Sequence, residues 1–93
     1  MMDVISILKK NKKIIEKEYS VEKIGVFGSH AKGVQTESSD IDILVEFKKP
    51  TYDNFINLAF YLENLYGKKI DLVTVKGLSP YIYPFVEKEV IWC

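Results

Sequence analysis

The chain has 93 residues, 13 Lys plus Arg against 13 Asp plus Glu, and a formal net charge of zero; at roughly 100–200 residues per domain it predicts one domain, 1–93, with a single modest core. A composition of 47% hydrophobic and 28% charged residues excludes a disordered chain, and no apolar run approaches the ~20 residues of a membrane span. The lone cysteine, Cys93, excludes an internal disulfide and a thiolate metal cluster, while charge neutrality argues against stable binding of long nucleic acid.

The opening residues, MMDVISILKKNKK, lack the secretory order of basic segment, apolar stretch and small-residue cleavage site, which predicts a soluble, cytoplasmic protein. Residues 3–18 place Val4, Ile5, Ile7, Leu8, Ile14 and Ile15 at mostly helical spacing, with Asp3 as N-cap or first-turn acid. The lysines between them, Lys9, Lys10, Lys12, Lys13 and Lys17, read as a solvated helix face. Tyr19-Ser20 breaks the pattern, and residues 23–27, KIGVF, predict a buried strand. Residues 28–39, GSHAKGVQTESS, form the only long polar stretch and read as a turn or short helix followed by a loop.

A second strand is predicted over residues 40–47, DIDILVEF, closed by Lys48-Lys49-Pro50 because proline cannot continue a ladder. From Asp53 to Tyr66, Phe55, Leu58, Ala59, Leu62 and Leu65 repeat at three and four, which predicts a helix packed on a sheet, with Gly67 as its left-handed cap. Residues 69–75, KIDLVTV, predict a third strand. Ser79-Pro80 opens a short helix over 80–88, distorted by Pro84, and the final VIW adds an edge strand. Strands alternating with helices imply an α/β or α+β sandwich.

Two features carry chemistry. Gly28-Ser29 follows a strand directly, so the backbone can turn tightly there and the serine hydroxyl can stand beside free N–H groups; a phosphate contact and an ordinary turn both fit. The Walker A spacing is excluded, since Val34 and Gln35 stand where Lys and Ser/Thr are required. The second feature is Asp40-Ile41-Asp42 at a strand start. Alternation puts both carboxylates on one face and Ile41, Ile43 and Val45 on the other. Two acids on one face repel unless water or a cation compensates them, and Mg²⁺ with its preference for hard oxygen does so naturally. Asp71, between Ile70 and Leu72, completes a three-carboxylate cluster if its strand lies beside the second; otherwise it is an unrelated edge acid.

Gly28-Ser29-x-Ala31-x-Gly33, then Ser39-Asp40-Ile41-Asp42-Ile43-Leu44-Val45, with a further aspartate about thirty residues on, resembles the signature of the DNA polymerase β-like nucleotidyltransferases, and more narrowly the minimal nucleotidyltransferase (MNT) group. Lys32 replaces the arginine common at its place. The resemblance implies a mixed β-sheet flanked by helices, and an ATP- and Mg²⁺-dependent enzyme with two ions. Asp40 and Asp42 would hold the metal that carries the triphosphate, Asp71 with them a second one at the attacking hydroxyl, and Gly28 and Ser29 would contact the β/γ-phosphates. It also implies a partner, a HEPN-domain toxin that the MNT protein restrains as antitoxin by transferring AMP to a tyrosine hydroxyl. Two other functions stand beside this one: neutralisation by complex formation alone, and nucleotidyl transfer to a small molecule or an RNA end.

His30, the only histidine, lacks partners for a triad or metal site and reads as surface. Tyr81, Tyr83, Phe85 and Trp92 crowd the C-terminal stretch with more aromatic surface than one short helix needs, which fits core packing or a contact within an oligomer or hetero-complex.

Overall fold

The computed structural model describes residues 3–93. Helix α1 (Val4–Tyr19) starts where expected: Asp3 accepts from the Ser6 backbone N–H at 3.2 Å and from the Ser6 hydroxyl at 2.7 Å. It ends at Ser20, which turns the chain with φ 54° into β1 (Val21–Phe27). Then follow α2 (Ser29–Lys32), β2 (Ile41–Phe47), α3 (Tyr52–Tyr66), β3 (Ile70–Thr74), α4 (Tyr83–Glu89) and β4 (Ile91–Trp92).

The strands form one mixed sheet in the order β3-β2-β1-β4. β1 runs antiparallel to β2 and β4, whereas β2 and β3 are parallel and joined by α3, the crossover that a parallel pair requires. Alternation on β2 sends Ile41, Ile43, Val45 and Phe47 to one face, where with Ile24 and Val26 of β1 they meet Leu8 and Ile15 of α1 and Leu58 and Leu62 of α3. Most of these side chains are fully buried, and each contributes about 1.5–3 kcal/mol of transfer free energy.

The opposite face carries Asp42, Leu44 and Glu46. Leu44 is fully buried there too, beside its register partner Gly25. A Cβ on Gly25 would lie 2.8 Å from Val90 Cγ2 and 2.7 Å from the Ile91 carbonyl, so the chain leaving α4 rests on this face.

Some boundaries differ from those the sequence predicts. Thr51, not a later residue, caps α3 by accepting from the Asn54 N–H at 3.1 Å. Ser79 caps a turn rather than a helix, accepting from the Tyr81 N–H at 3.1 Å, and α4 begins only at Tyr83. Pro84 therefore falls in the first turn, where its missing N–H needs no partner, and the expected distortion is absent.

Candidate active site

The two acids that share a face are brought together by register. Asp42 pairs with Asp71 across the parallel strands, near the N-terminal ends of β2 and β3. Their carboxylates leave the sheet beside one another, and a protonated Asp42 lies within hydrogen-bonding reach of Asp71. Burial first, then the Asp71 charge and that hydrogen bond, and last the Asp40 charge push the Asp42 carboxyl up to about 6. The face is therefore acidic without a neutralising side chain: among the described residues the ion pair recorded is Lys32–Glu89, at 3.0 Å, not one to these aspartates.

Gly28 closes the site from the side of β1. Phe27 is the register partner of Asp42, and the next residue turns with φ 71° and ψ −148°, a region open in practice only to glycine. A side chain here would also strike Asp42: an added Cβ would sit 3.0 Å from the Asp42 Cγ and closer still to its Oδ2. The predicted glycine is thus required twice, by conformation and by the space that Asp42 occupies. Ser29 follows as the first residue of α2, a four-residue helix laid against β1 and β2.

Asp40 stands slightly apart. It is exposed, one residue ahead of β2, and reaches Asp42 through its charge. Among the described residues no three His, Cys, Asp or Glu side chains are already drawn into one metal-binding group. The preformed part is the Asp42–Asp71 pair, with hard carboxylate oxygens and no protein cation against them. That donor chemistry fits a divalent cation such as Mg²⁺, which commonly binds through one or two carboxylates plus substrate phosphates.

Two features escape the sequence reading. His30 is not simply surface: α2 packs it down so that Nε2 is enclosed without a hydrogen-bond partner among the described residues. Glu89 is paired with Lys32, a partly exposed contact between α4 and α2, and nothing in the spacing of 57 residues signals that pair. The cavity of about 170 Å³ formed by Val45, Phe47, Pro50, Phe55, Val75 and Lys76 lies at the other ends of the strands. Its nearest lining residue on β2, Val45, is three residues from Asp42, roughly 10 Å along a strand, so this cavity stands off from the Asp42–Asp71 pair.

Comparison with known proteins shows the family. The nucleotidyltransferase domain family matches residues 8–93. This chain belongs to that family. It is a nucleotidyltransferase. A protein adenylyltransferase of Thermococcus cleftensis, MntA, is 42% identical over 91 residues, covering 97% of this chain and 92% of its own. A solved minimal nucleotidyltransferase superposes with a TM-score of 0.80 at 32% identity, covering 97% of this chain and 95% of that one. A toxin–antitoxin complex with AMP-PNP contains a chain that matches with a TM-score of 0.68 at 25% identity, over 97% of this chain and 68% of that one. The complex of the tri-AMPylated Shewanella oneidensis HEPN toxin with its MNT antitoxin contains a chain that shares the fold, at a TM-score of 0.67 and 21% identity, over 98% of this chain and 71% of that one. Among the described residues no helix is long and apolar enough to cross a membrane.

Proposed function

We propose that this nucleotidyltransferase is an antitoxin-type protein adenylyltransferase that moves AMP from ATP to a hydroxyl, that of a tyrosine, on a HEPN-family toxin. The single observation that carries the chemistry is the register pair Asp42–Asp71 with Gly28 set against Asp42. The adenylyltransferase relative and the AMP-PNP complex support the choice of ATP and of a protein acceptor.

In this reading Asp40 and Asp42 would hold the Mg²⁺ that carries the triphosphate, and Asp71 with them would hold a second Mg²⁺. Such a pair neutralises charge on the entering and leaving oxygens of an in-line displacement. The chain's own groups then have separable tasks. Gly28 and the start of α2 at Ser29 receive the β/γ-phosphates, because there the backbone approaches Asp42 with no side chain between. Asp71, exposed at the open side of the pair, takes the proton of the acceptor hydroxyl. That oxygen bonds to the α-phosphorus, the bond from this phosphorus to the bridging oxygen breaks, and pyrophosphate leaves.

The test separates transfer from simple masking. The HEPN protein, incubated with this chain, ATP and Mg²⁺, is expected to gain the mass of one or more adenylyl groups and to keep low RNase activity after separation. Dissociation restores a merely masked partner by mass action. Full recovery without a mass gain would instead establish neutralisation by complex formation.

A further inference from the structure

Three apolar side chains crowd the turn before α4 and its first residues. Tyr81 is 86% exposed, Ile82 53% and Phe85 70%. Such a cluster is costly in water and marks an interaction surface when it is contiguous. We infer that Tyr81, Ile82 and Phe85 form the docking surface for the protein acceptor, an inference that rests on the adenylyltransferase reading above and specifies how its partner is held.

Position argues for that occupant. The end of α4 rests on the same sheet face as the aspartates, since Val90 lies over Gly25, the register partner of Leu44. Glu89 at the end of α4 is paired at 3.0 Å with Lys32 at the end of α2, whose N-terminus adjoins Gly28 and so Asp42. Of the two helical spans involved, Ser29 to Lys32 covers about 4.5 Å and Phe85 to Glu89 about 6 Å at 1.5 Å per residue. A standard interface of about 800 Å² per partner is a disc roughly 32 Å across, wide enough to cover the patch and the acids together.

The acidic face also needs an external means of orienting its acceptor. The cavity of about 170 Å³ lies toward the far ends of β2 and β3, with Thr74 three residues along the strand from Asp71. A protein acceptor brings its own surface to this face, and exposed aromatic anchors are the side chains that carry most binding energy in such contacts. A second copy seated on this patch would instead hinder approach to the aspartates.

The experiment uses the whole chain and a purified HEPN-family protein as the acceptor. Association is measured by calorimetry in an Asp42→Asn background, so that no transfer intervenes. Tyr81→Ser with Phe85→Ser is compared with Tyr52→Ser, a change at a 76% exposed aromatic that opens α3 on the other side of the sheet. Thermal melts confirm folding, and Tyr81→Ser alone, ahead of the helix, serves if the double variant is unstable. The patch variant should lose ~10-fold or more in affinity and raise the KM for the acceptor in the Asp42 enzyme by a similar factor, with kcat and ATP affinity unchanged. Tyr52→Ser should change none of these. Equal binding by the patch and Tyr52 variants would overturn the docking assignment while leaving the adenylyltransferase reading intact. Patch-dependent binding without any transfer by the unmodified chain would uphold docking and remove that reading. A chain that is dimeric alone and monomeric as the patch variant would assign the surface to a second copy and overturn the inference.

Discussion

Asp42 of β2 and Asp71 of β3 are register partners in the parallel half of the sheet. Neighbouring strands lie about 4.8 Å apart, so two carboxylates leave one face at a spacing where their charges repel strongly. A fold stabilised for its own sake would not keep this pair uncompensated. Its value lies in what arrives with opposite charge.

The pair makes the metal-free protein pH-sensitive in a defined direction. Folded Asp42 keeps its proton up to about pH 6, whereas the ordinary aspartate value is 3.8. The folded state therefore holds the extra proton between these values, so this group's contribution falls as pH rises through that window and stays low above it. Asp3, held below the usual range by the hydrogen bonds of Ser6, acts in the opposite sense at acid pH but is common to both proteins compared. Melting curves of the unmodified chain and of Asp42→Asn, without metal, should converge near pH 4 and separate above pH 6 in favour of the variant. Mg²⁺ affinity of the unmodified chain should weaken by about tenfold per pH unit once Asp42 is protonated.

Each acid should matter separately for transfer. Asp40→Asn and Asp42→Asn keep the side-chain shape but remove a charge, so Mg²⁺ and ATP binding should both weaken in titrations. Asp71→Asn should leave ATP binding largely intact and slow adenylyl transfer by roughly 10²-fold or more, the scale on which removal of transition-state stabilisation is felt. Labelled-ATP transfer to the HEPN protein, run beside nucleotide titrations, reads both effects.

Gly28→Ala should fail for two reasons that can be separated. The backbone conformation alone costs about 1–3 kcal/mol for a residue with a Cβ, and the added methyl meets the Asp42 carboxylate. Urea denaturation should show the loss, and ATP binding should fall with it. Adding Asp42→Ala should recover part of the stability but none of the activity, a coupling expected only if the clash is with that side chain.

Away from the site, Tyr66 ties the end of α3 to the start of α1, its hydroxyl donating to the Val4 carbonyl at 2.7 Å. The residue is 3% exposed, so Tyr66→Phe leaves a buried carbonyl without that donor. It should cost about 1–3 kcal/mol in chemical denaturation while transfer per folded molecule stays unchanged.

Local features were legible in the sequence because their causes are local. Asp3 caps α1 from three residues away, and the period of Phe55, Leu58, Leu62 and Leu65 announces α3. Alternation along DIDILVEF separates the acid-bearing face from the core face, and Gly28-Ser29 with Asp40-Ile41-Asp42 points to the chemistry. What tertiary structure decided is which distant residues meet. The parallel pairing of β2 with β3 selects Asp71 as the neighbour of Asp42, and a shift of one residue would send it to the other face. The space beside Gly28 is filled by Asp42, and Lys32 finds Glu89 across 57 residues. The close approach of Val90 and Ile91 to Gly25 likewise depends on the whole sheet being assembled. Periodicity and capping follow from covalent neighbours a few residues apart, whereas register and cross-chain contact follow from packing one core, which no short stretch of sequence encodes alone.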